Sequence, residues 1–424
     1  MPPLSASEPV VQQQPQGSGW TGGQYSLTRI LFGLYLTVHF ARLALAGAGL
    51  PDAVPGADQN PVLRAFPNIY VLWNAPGFVT ATLIGAACAS LAFAVGWQRR
   101  NAALFLGYLS ACLFLRDPLT SARSLPFLIL LHAAVPRSPF GSWNARGRSD
   151  PAGTWHMPLQ VFQVAWILMS ISYAHAGLTK LTGVQSEAWL DGSALAQVLA
   201  SPIARELPSD LLLRLPDLAL RIATWGTVGL QLAFLPLALS VRSRPIAWTC
   251  LLATHMAALL VTRSADLSLA MIGLHLFTVD PRWLRARVAR SPELILYDGD
   301  CGLCHHTVRF VVAEDRDGRA FRFATLTGQT FERMIPEDQR QALPDAIVVI
   351  RADGSLLLRS DSVVHILHGL GGLWSAAGYL LSWIPRPLRD SGYDIVARVR
   401  KRIFPAPEAA CPLMPPDLAT RFLD

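Results

Sequence analysis

Two cysteines, Cys301 and Cys304, close the run Leu294-Ile-Leu-Tyr-Asp-Gly-Asp-Cys-Gly-Leu-Cys304. A short apolar strand leads into a tight Asp-Gly-Asp turn, and the turn delivers both thiols to the start of a helix expected over His305 to Glu314. A thiol at a helix N-terminus faces unpaired N–H groups and the positive end of the helix dipole. Both favour the thiolate, the nucleophilic form. The spacing lets the second sulfur reach the first, so a disulfide can open and close there. The chemistry proposed is thiol–disulfide exchange, with Cys301 as nucleophile and Cys304, one turn in, as the resolving thiol.

Two other readings use the same residues. The cysteines are either a buried structural pair or part of a zinc site with His305 or His306 and the distant Cys411. Strand, turn, CxxC and helix in that order favour redox chemistry. Asp298 and Asp300 flank the turn, and Asp300 is the expected helix cap. A carboxylate opposes thiolate formation nearby, yet a partly buried one can accept the Cys304 proton when that thiol attacks a mixed disulfide. As plain turn formers, the two aspartates would have no part in the chemistry.

The elements that must position these groups follow in order. Phe321 to Leu326 reads as a strand, and Gln329 to Leu343 as a helix interrupted by Pro336. Ala346 to Ile350 is a buried strand, Ala352-Asp353-Gly354 a turn, and Ser355 to Leu358 the hairpin partner. A helix from Asp361 to Leu370 follows, with Ser360 as N-cap. Strand, helix, strand, helix, hairpin, helix is the order of a thioredoxin-like fold. In that fold a cis-proline stands before the third strand beside the disulfide, which makes Leu343–Pro344 the cis candidate here; an ordinary loop proline is the alternative.

These residues resemble the DCC family of thiol-disulfide oxidoreductases. The likeness extends over 293–424, through Val308-Arg309-Phe310, Phe321-Arg-Phe-Ala324, Pro344-Asp-Ala-Ile-Val-Val-Ile350, Ser360-Asp361, Ile384-Pro385-Arg386, Arg389-Asp390, Tyr393, Cys411 and Arg421-Phe422-Leu423. The resemblance implies a fold and a chemistry and names no substrate.

The preceding residues are of another kind. The chain is 52% hydrophobic and only 15% charged, with a mean hydropathy of +0.34. Apolar stretches lie at Ile30–Leu50, Val71–Trp97, Ala103–Leu115, Leu125–Val135, Pro158–Leu178, Thr224–Leu239, Ile246–Val261 and Leu267–Phe277. Several approach the roughly 20 residues that span a bilayer, and about eight membrane segments are expected, those starting at 103, 125 and 267 being short. Arginines at 99–100, 137–148, 242–244 and 282–290 fall in alternate loops. The positive-inside rule then puts those loops, both termini and the redox part in the cytosol. The net charge of +7 reads as a topology signal rather than a nucleic-acid footprint.

Lysine is rare: of 36 basic residues only Lys180 and Lys401 are lysines. Lys180 closes the apolar segment Ser172-Tyr-Ala-His-Ala-Gly-Leu-Thr-Lys180, with His175 expected on a similar helix face. A desolvated lysine can release its proton and act as a base, whereas a boundary lysine merely snorkels. Leu27-Thr-Arg29-Ile-Leu-Phe-Gly33, Gly177-Leu-Thr-Lys180 and Trp189-Leu-Asp-Gly192 resemble the HTTM family, related to vitamin K-dependent gamma-carboxylase. That resemblance implies that Lys180 takes the place of a catalytic lysine. A second lysine just before it in the carboxylase is Thr179 here, and the carboxylase's lumenal domain has no counterpart.

The expected protein is a multi-pass α-helical membrane bundle followed by a small α/β thioredoxin-like domain. Residues 1–24 read as a disordered tail rich in Pro, Gln, Ser and Gly, 25–280 as the bundle, 281–292 as a basic linker and 293–424 as the redox domain. Cys88, Cys112 and Cys250 lie singly in apolar segments and read as small core residues. The expected location is the cell inner membrane. The expected partners are the lipid bilayer and a thiol or disulfide protein substrate, with no nucleic acid. The redox domain requires no cofactor, and a quinone is the candidate for the membrane domain. A lysine-dependent enzyme acting on a quinone or peptide, and a non-enzymatic scaffold or maturation partner, are the competing functions.

Overall fold

The structure, a computed structural model, describes residues 18–46, 65–116, 123–138, 141–142, 155–183, 186–263, 265–287, 289–341, 343, 346–404 and 416–423. All eight expected apolar stretches carry a helix: α1 (Gly22–Leu45), α2 (Pro76–Val95), α3 (Arg99–Arg116), α4 (Leu125–Ala134), α5 (Leu159–Thr182), α6 (Asp217–Leu239), α7 (Arg244–Val261) and α8 (Asp266–Thr278). Five of them, α1, α2, α5, α6 and α7, are long and apolar enough to cross a membrane by length and composition.

Local chemistry sets several of the ends. Val71–Trp97 was expected as one segment, but a short helix Ile69–Leu72 stops before Pro76, and α2 starts anew there. Proline lacks the N–H that a continuing helix needs, yet fits a first turn. Gly96 ends α2 in the left-handed region at φ 75°, where glycine has no Cβ penalty. Gly33 lets α1 and α2 approach closely, since a Cβ there would lie 2.6 Å from Ala94 Cβ.

Residues 18–24, expected within the tail, are structured. Ser18, Trp20, Thr21 and Gln24 are buried, although 1–24 reads as a disordered tail. Thr21 caps α1 by accepting from the Gln24 N–H at 3.2 Å, and the Trp20 indole donates to the Val279 carbonyl at 3.0 Å. An indole needs both an apolar seat and an acceptor, and the end of α8 offers them.

The C-terminal part holds a mixed four-stranded sheet in the order β2-β1-β3-β4, from β1 (Glu293–Tyr297), β2 (Phe321–Thr325), β3 (Val348–Ile350) and β4 (Leu356–Leu358). β1 pairs parallel to β2, with Ile295 opposite Phe323, and antiparallel to β3, with Ile295 opposite Val349. A parallel pair needs a crossover, and α9 (Gly302–Glu314) supplies it. Side chains alternate across the sheet. Ile295, Phe321, Phe323 and Val349 face the cluster that contains both cysteines, while Leu294, Leu296, Val348 and Ile350 face Ile335.

The expected 329–343 helix is split into α10 (Gln329–Met334) and α11 (Glu337–Arg340) by Pro336. Then come α12 (Arg359–Leu370), α13 (Gly372–Ser382), α14 (Arg386–Ile403) and α15 (Pro416–Ala419). Ser360 does not cap α12, which begins one residue earlier; its hydroxyl donates to Asp390 on α14 instead.

Glu314, at the far end of α9 from the cysteines, is buried. Its carboxylate accepts from the Gly23 N–H at 2.9 Å, the Trp374 indole at 2.6 Å and the Thr21 hydroxyl. The helix that carries the thiols is thus tied to the first turn of α1.

Candidate functional site

The fully buried strand β1 drives the chain into the turn Asp298-Gly299-Asp300. Asp298 Oδ1 accepts the Asp300 N–H at 2.9 Å, which closes the turn. The helix starts at Gly302, earlier than the expected His305, and its N-cap is Cys301 rather than Asp300. The Cys304 N–H points at Cys301 Sγ, 3.4 Å away, so the donor that a capping carboxylate would take is already engaged by sulfur. Asp300 is left exposed. A sulfur in this position is where the N-terminal N–H groups and the dipole act on it most strongly.

Both cysteines are enclosed, Cys301 at 0% and Cys304 at 6% exposure. Burial pushes the Cys304 thiol up, to about 12, and the neighbouring Cys301 thiol adds to the effect; the Arg400 charge and a main-chain group of Asp298 pull it back. Arg400 comes from α14. Its Nη2 lies 3.4 Å from Asp298 Oδ2, and both side chains are largely buried. Asp298 therefore joins the turn, the cysteines and α14.

The histidines beside the motif turn to other tasks. His305 Nε2 meets the Gly299 carbonyl at 2.7 Å with its ring against Tyr297, and His306 packs edge-on to Phe404. Among the described residues no group of three metal-binding side chains stands together. Pro344 and Cys411 lie outside the described residues.

Arg400 was not foreseen, because nothing in local spacing joins it to Asp298. The available signal was periodic. Arg389, Tyr393 and Arg400 share one helix face, and each bonds to the domain.

Lys180 belongs to a separate place. On α5 its Nζ donates to the Ala176 carbonyl at 3.3 Å and sits 4.9 Å from the Trp189 ring centroid. His175 is not its neighbour: residues five apart are rotated by about 140° on a helix, and His175 meets Arg123 instead. Two turns before Lys180 on a similar face of α5, Tyr173 Oη bonds His255 of α7 at 3.0 Å and meets His275 Nε2 at 2.7 Å. The Trp189-Asp191-Gly192 loop is pinned by Arg221 and Trp225, which donate to the Asp191 and Leu190 carbonyls. Histidines inside the apolar stretches at 246 and 267 were the sequence signal for this cluster.

Residues 295–406 match the family model of the DCC1-like thiol-disulfide oxidoreductases. The chain is 30% identical over 135 residues to the uncharacterized protein YuxK of Bacillus subtilis, covering 31% of this chain and 93% of that protein. It is 27% identical over 111 residues to a chloroplastic DCC family protein of Arabidopsis thaliana, covering 26% of this chain and 64% of that one. No solved structure matches the chain at a significant level.

Proposed function

Because the chain belongs through its C-terminal part to the DCC1-like thiol-disulfide oxidoreductase family, we propose that it is a membrane-tethered enzyme exchanging disulfides through Cys301 and Cys304. Residues 293–424 form the thioredoxin-like domain of this reading, 281–292 the basic linker and 25–280 the membrane part. The observation that carries it is the sulfur N-cap: Cys301 Sγ receives the Cys304 N–H at the mouth of α9.

In the reducing direction, Cys301 thiolate attacks one sulfur of a substrate disulfide. The substrate S–S bond breaks, and its leaving sulfur takes a proton. Cys304 then attacks Cys301 Sγ, and the mixed disulfide breaks to release the second substrate thiol. Two electrons pass from the dithiol to the substrate, and a second thiol pair restores the cysteines. The raised Cys304 thiol stays protonated until the mixed disulfide forms. Its proton then needs an acceptor, and Asp298 is the carboxylate at hand, held by Arg400. Asp300 acts in the turn. Pro344 is carried in this reading as the proline beside the disulfide.

The arginine-rich loops support a cytosolic redox domain on the inner membrane. The test is insulin-type disulfide reduction by the full chain: Cys301→Ser abolishes it, and retention of activity in that variant overturns the assignment.

A second reading concerns the HTTM-like part. Lys180 against Trp189, with His255, Tyr173 and His275 linked beside it, supports a lysine-centred site acting on a quinone or a peptide, since ionisable groups at membrane depth are costly unless used.

A further inference from the structure

Helix α14 is inside out. Its inner face is polar and bonded to the domain. Arg389 reaches Asp361 at 2.9 Å, Asp390 accepts from the Ser360 N–H at 3.3 Å, Tyr393 Oη accepts the Ile347 N–H at 2.9 Å, and Arg400 reaches Asp298. Successive residues turn by about 100°, and on that count Leu388, Ile395, Val396, Val399 and Ile403 form one stripe about 100° wide that adjoins the bonded face. All five are exposed, at 39% to 65%. A globular helix buries its apolar stripe; this one displays it.

We propose that this stripe lies in the polar–apolar interface of the membrane crossed by the N-terminal helices, on anionic phospholipid. A strongly two-faced helix with basic residues beside its apolar stripe has the composition of an interfacial helix. Arg398 and Arg402 border the stripe and are exposed, where they meet lipid phosphates. The last turn of α13 offers Leu380, and the turn leading into α14 offers Trp383, 80% exposed; tryptophan favours the headgroup level of a bilayer.

Position agrees. The preceding helix, α13, starts against the base of the bundle: the Gly372 N–H donates to the Leu284 carbonyl at 2.7 Å, and a Cβ at Gly372 would lie 2.7 Å from the Gln24 side chain. Gln24 is in the first turn of α1, and Leu284 follows the last apolar helix. At 11 residues, α13 carries the chain only about 16 Å from that level. The same helix then holds lipid on one face and Asp298, beside the redox pair, on the other.

The inference rests on the membrane reading above, so its test carries a control for that reading. Spin labels are placed one at a time, as Val399→Cys, Gln339→Cys or Ile222→Cys, in the full chain with its six native cysteines changed to alanine. The chain is reconstituted in phosphatidylcholine vesicles with or without phosphatidylglycerol. Collisions with oxygen, which enters lipid, are compared with those of a water-soluble nickel chelate. With phosphatidylglycerol, oxygen dominates at 399 and nickel at 339; removing that lipid lowers the oxygen preference at 399. Nickel dominance at 399 with oxygen dominance at 222 overturns the docking and leaves the membrane reading standing. Nickel dominance at 222 as well overturns both. A label at 399 closed to both reagents means a second copy or another protein covers the stripe, and this too overturns the proposal.

Discussion

Replacing Arg400 with alanine removes the positive charge beside Asp298. The two groups are 3.4 Å apart, and their side chains are 4% and 14% exposed. At an effective dielectric of about 20, unit charges at that distance attract by about 5 kcal/mol, a ceiling that desolvation reduces. Leaving a buried carboxylate unpaired costs about 3–5 kcal/mol. Arg400→Ala and Asp298→Asn are therefore each expected to destabilise the redox domain by up to about 3–5 kcal/mol, because either change strands the partner's largely buried charge. The double variant should be more stable than the sum of the two, with a coupling of about 1–3 kcal/mol. Pulse proteolysis of the full chain in detergent across a urea series reads these differences through the population of the opened domain. Arg400→Ala should also lengthen the life of the mixed disulfide, because Arg400 pulls the Cys304 thiol down. Additive stability losses with an unchanged mixed-disulfide lifetime would refute a working Arg400–Asp298 pair.

Three further outcomes follow from the geometry. Cys304→Ser should trap a mixed disulfide at Cys301 that mass spectrometry detects after incubation with a disulfide substrate; the absence of an adduct at Cys301 contradicts the division of roles. If Lys180 works as a base, Lys180→Arg should be as damaging as Lys180→Ala at equal abundance in a cellular assay, since arginine does not release its proton; full function of the arginine variant removes Lys180 from any site. Burial pushes the Glu314 carboxyl up, so its stabilising contribution is full below the unfolded value of about 4.3 and is lost as pH rises through the higher folded value. Melting temperature should accordingly fall as pH rises through that window, and Glu314→Gln should flatten the dependence; identical pH profiles would exclude Glu314 as its source.

The redox half was legible because its signals are local. The β1 run, the Asp-Gly-Asp turn and the CxxC each act within a few residues, and the Ala352-Asp353-Gly354 hairpin formed where its glycine allows φ 81°. The eight apolar stretches were legible for the same reason, although Pro76 and the early start at Gly22 moved their ends. What escaped depends on distant partners. Asp300 lost the cap to Cys301 because a sulfur reaches the same N–H. His175 lost Lys180 because rotation along the helix separates them. The apolar stripe of α14 was hidden because arginines interleave with it, and the burial of Arg400 reveals which side is inward.

The central claim is that Cys301 and Cys304 form a reversible redox pair. The most direct test equilibrates the full chain in reduced and oxidised glutathione buffers, quenches with acid, alkylates, and maps the cysteines by mass spectrometry. The expected result is a single two-electron transition in which a Cys301–Cys304 disulfide replaces two free thiols, with Cys88, Cys112 and Cys250 remaining reduced. Two thiols that stay free across the whole series, or a disulfide from either one to a different cysteine, would contradict it.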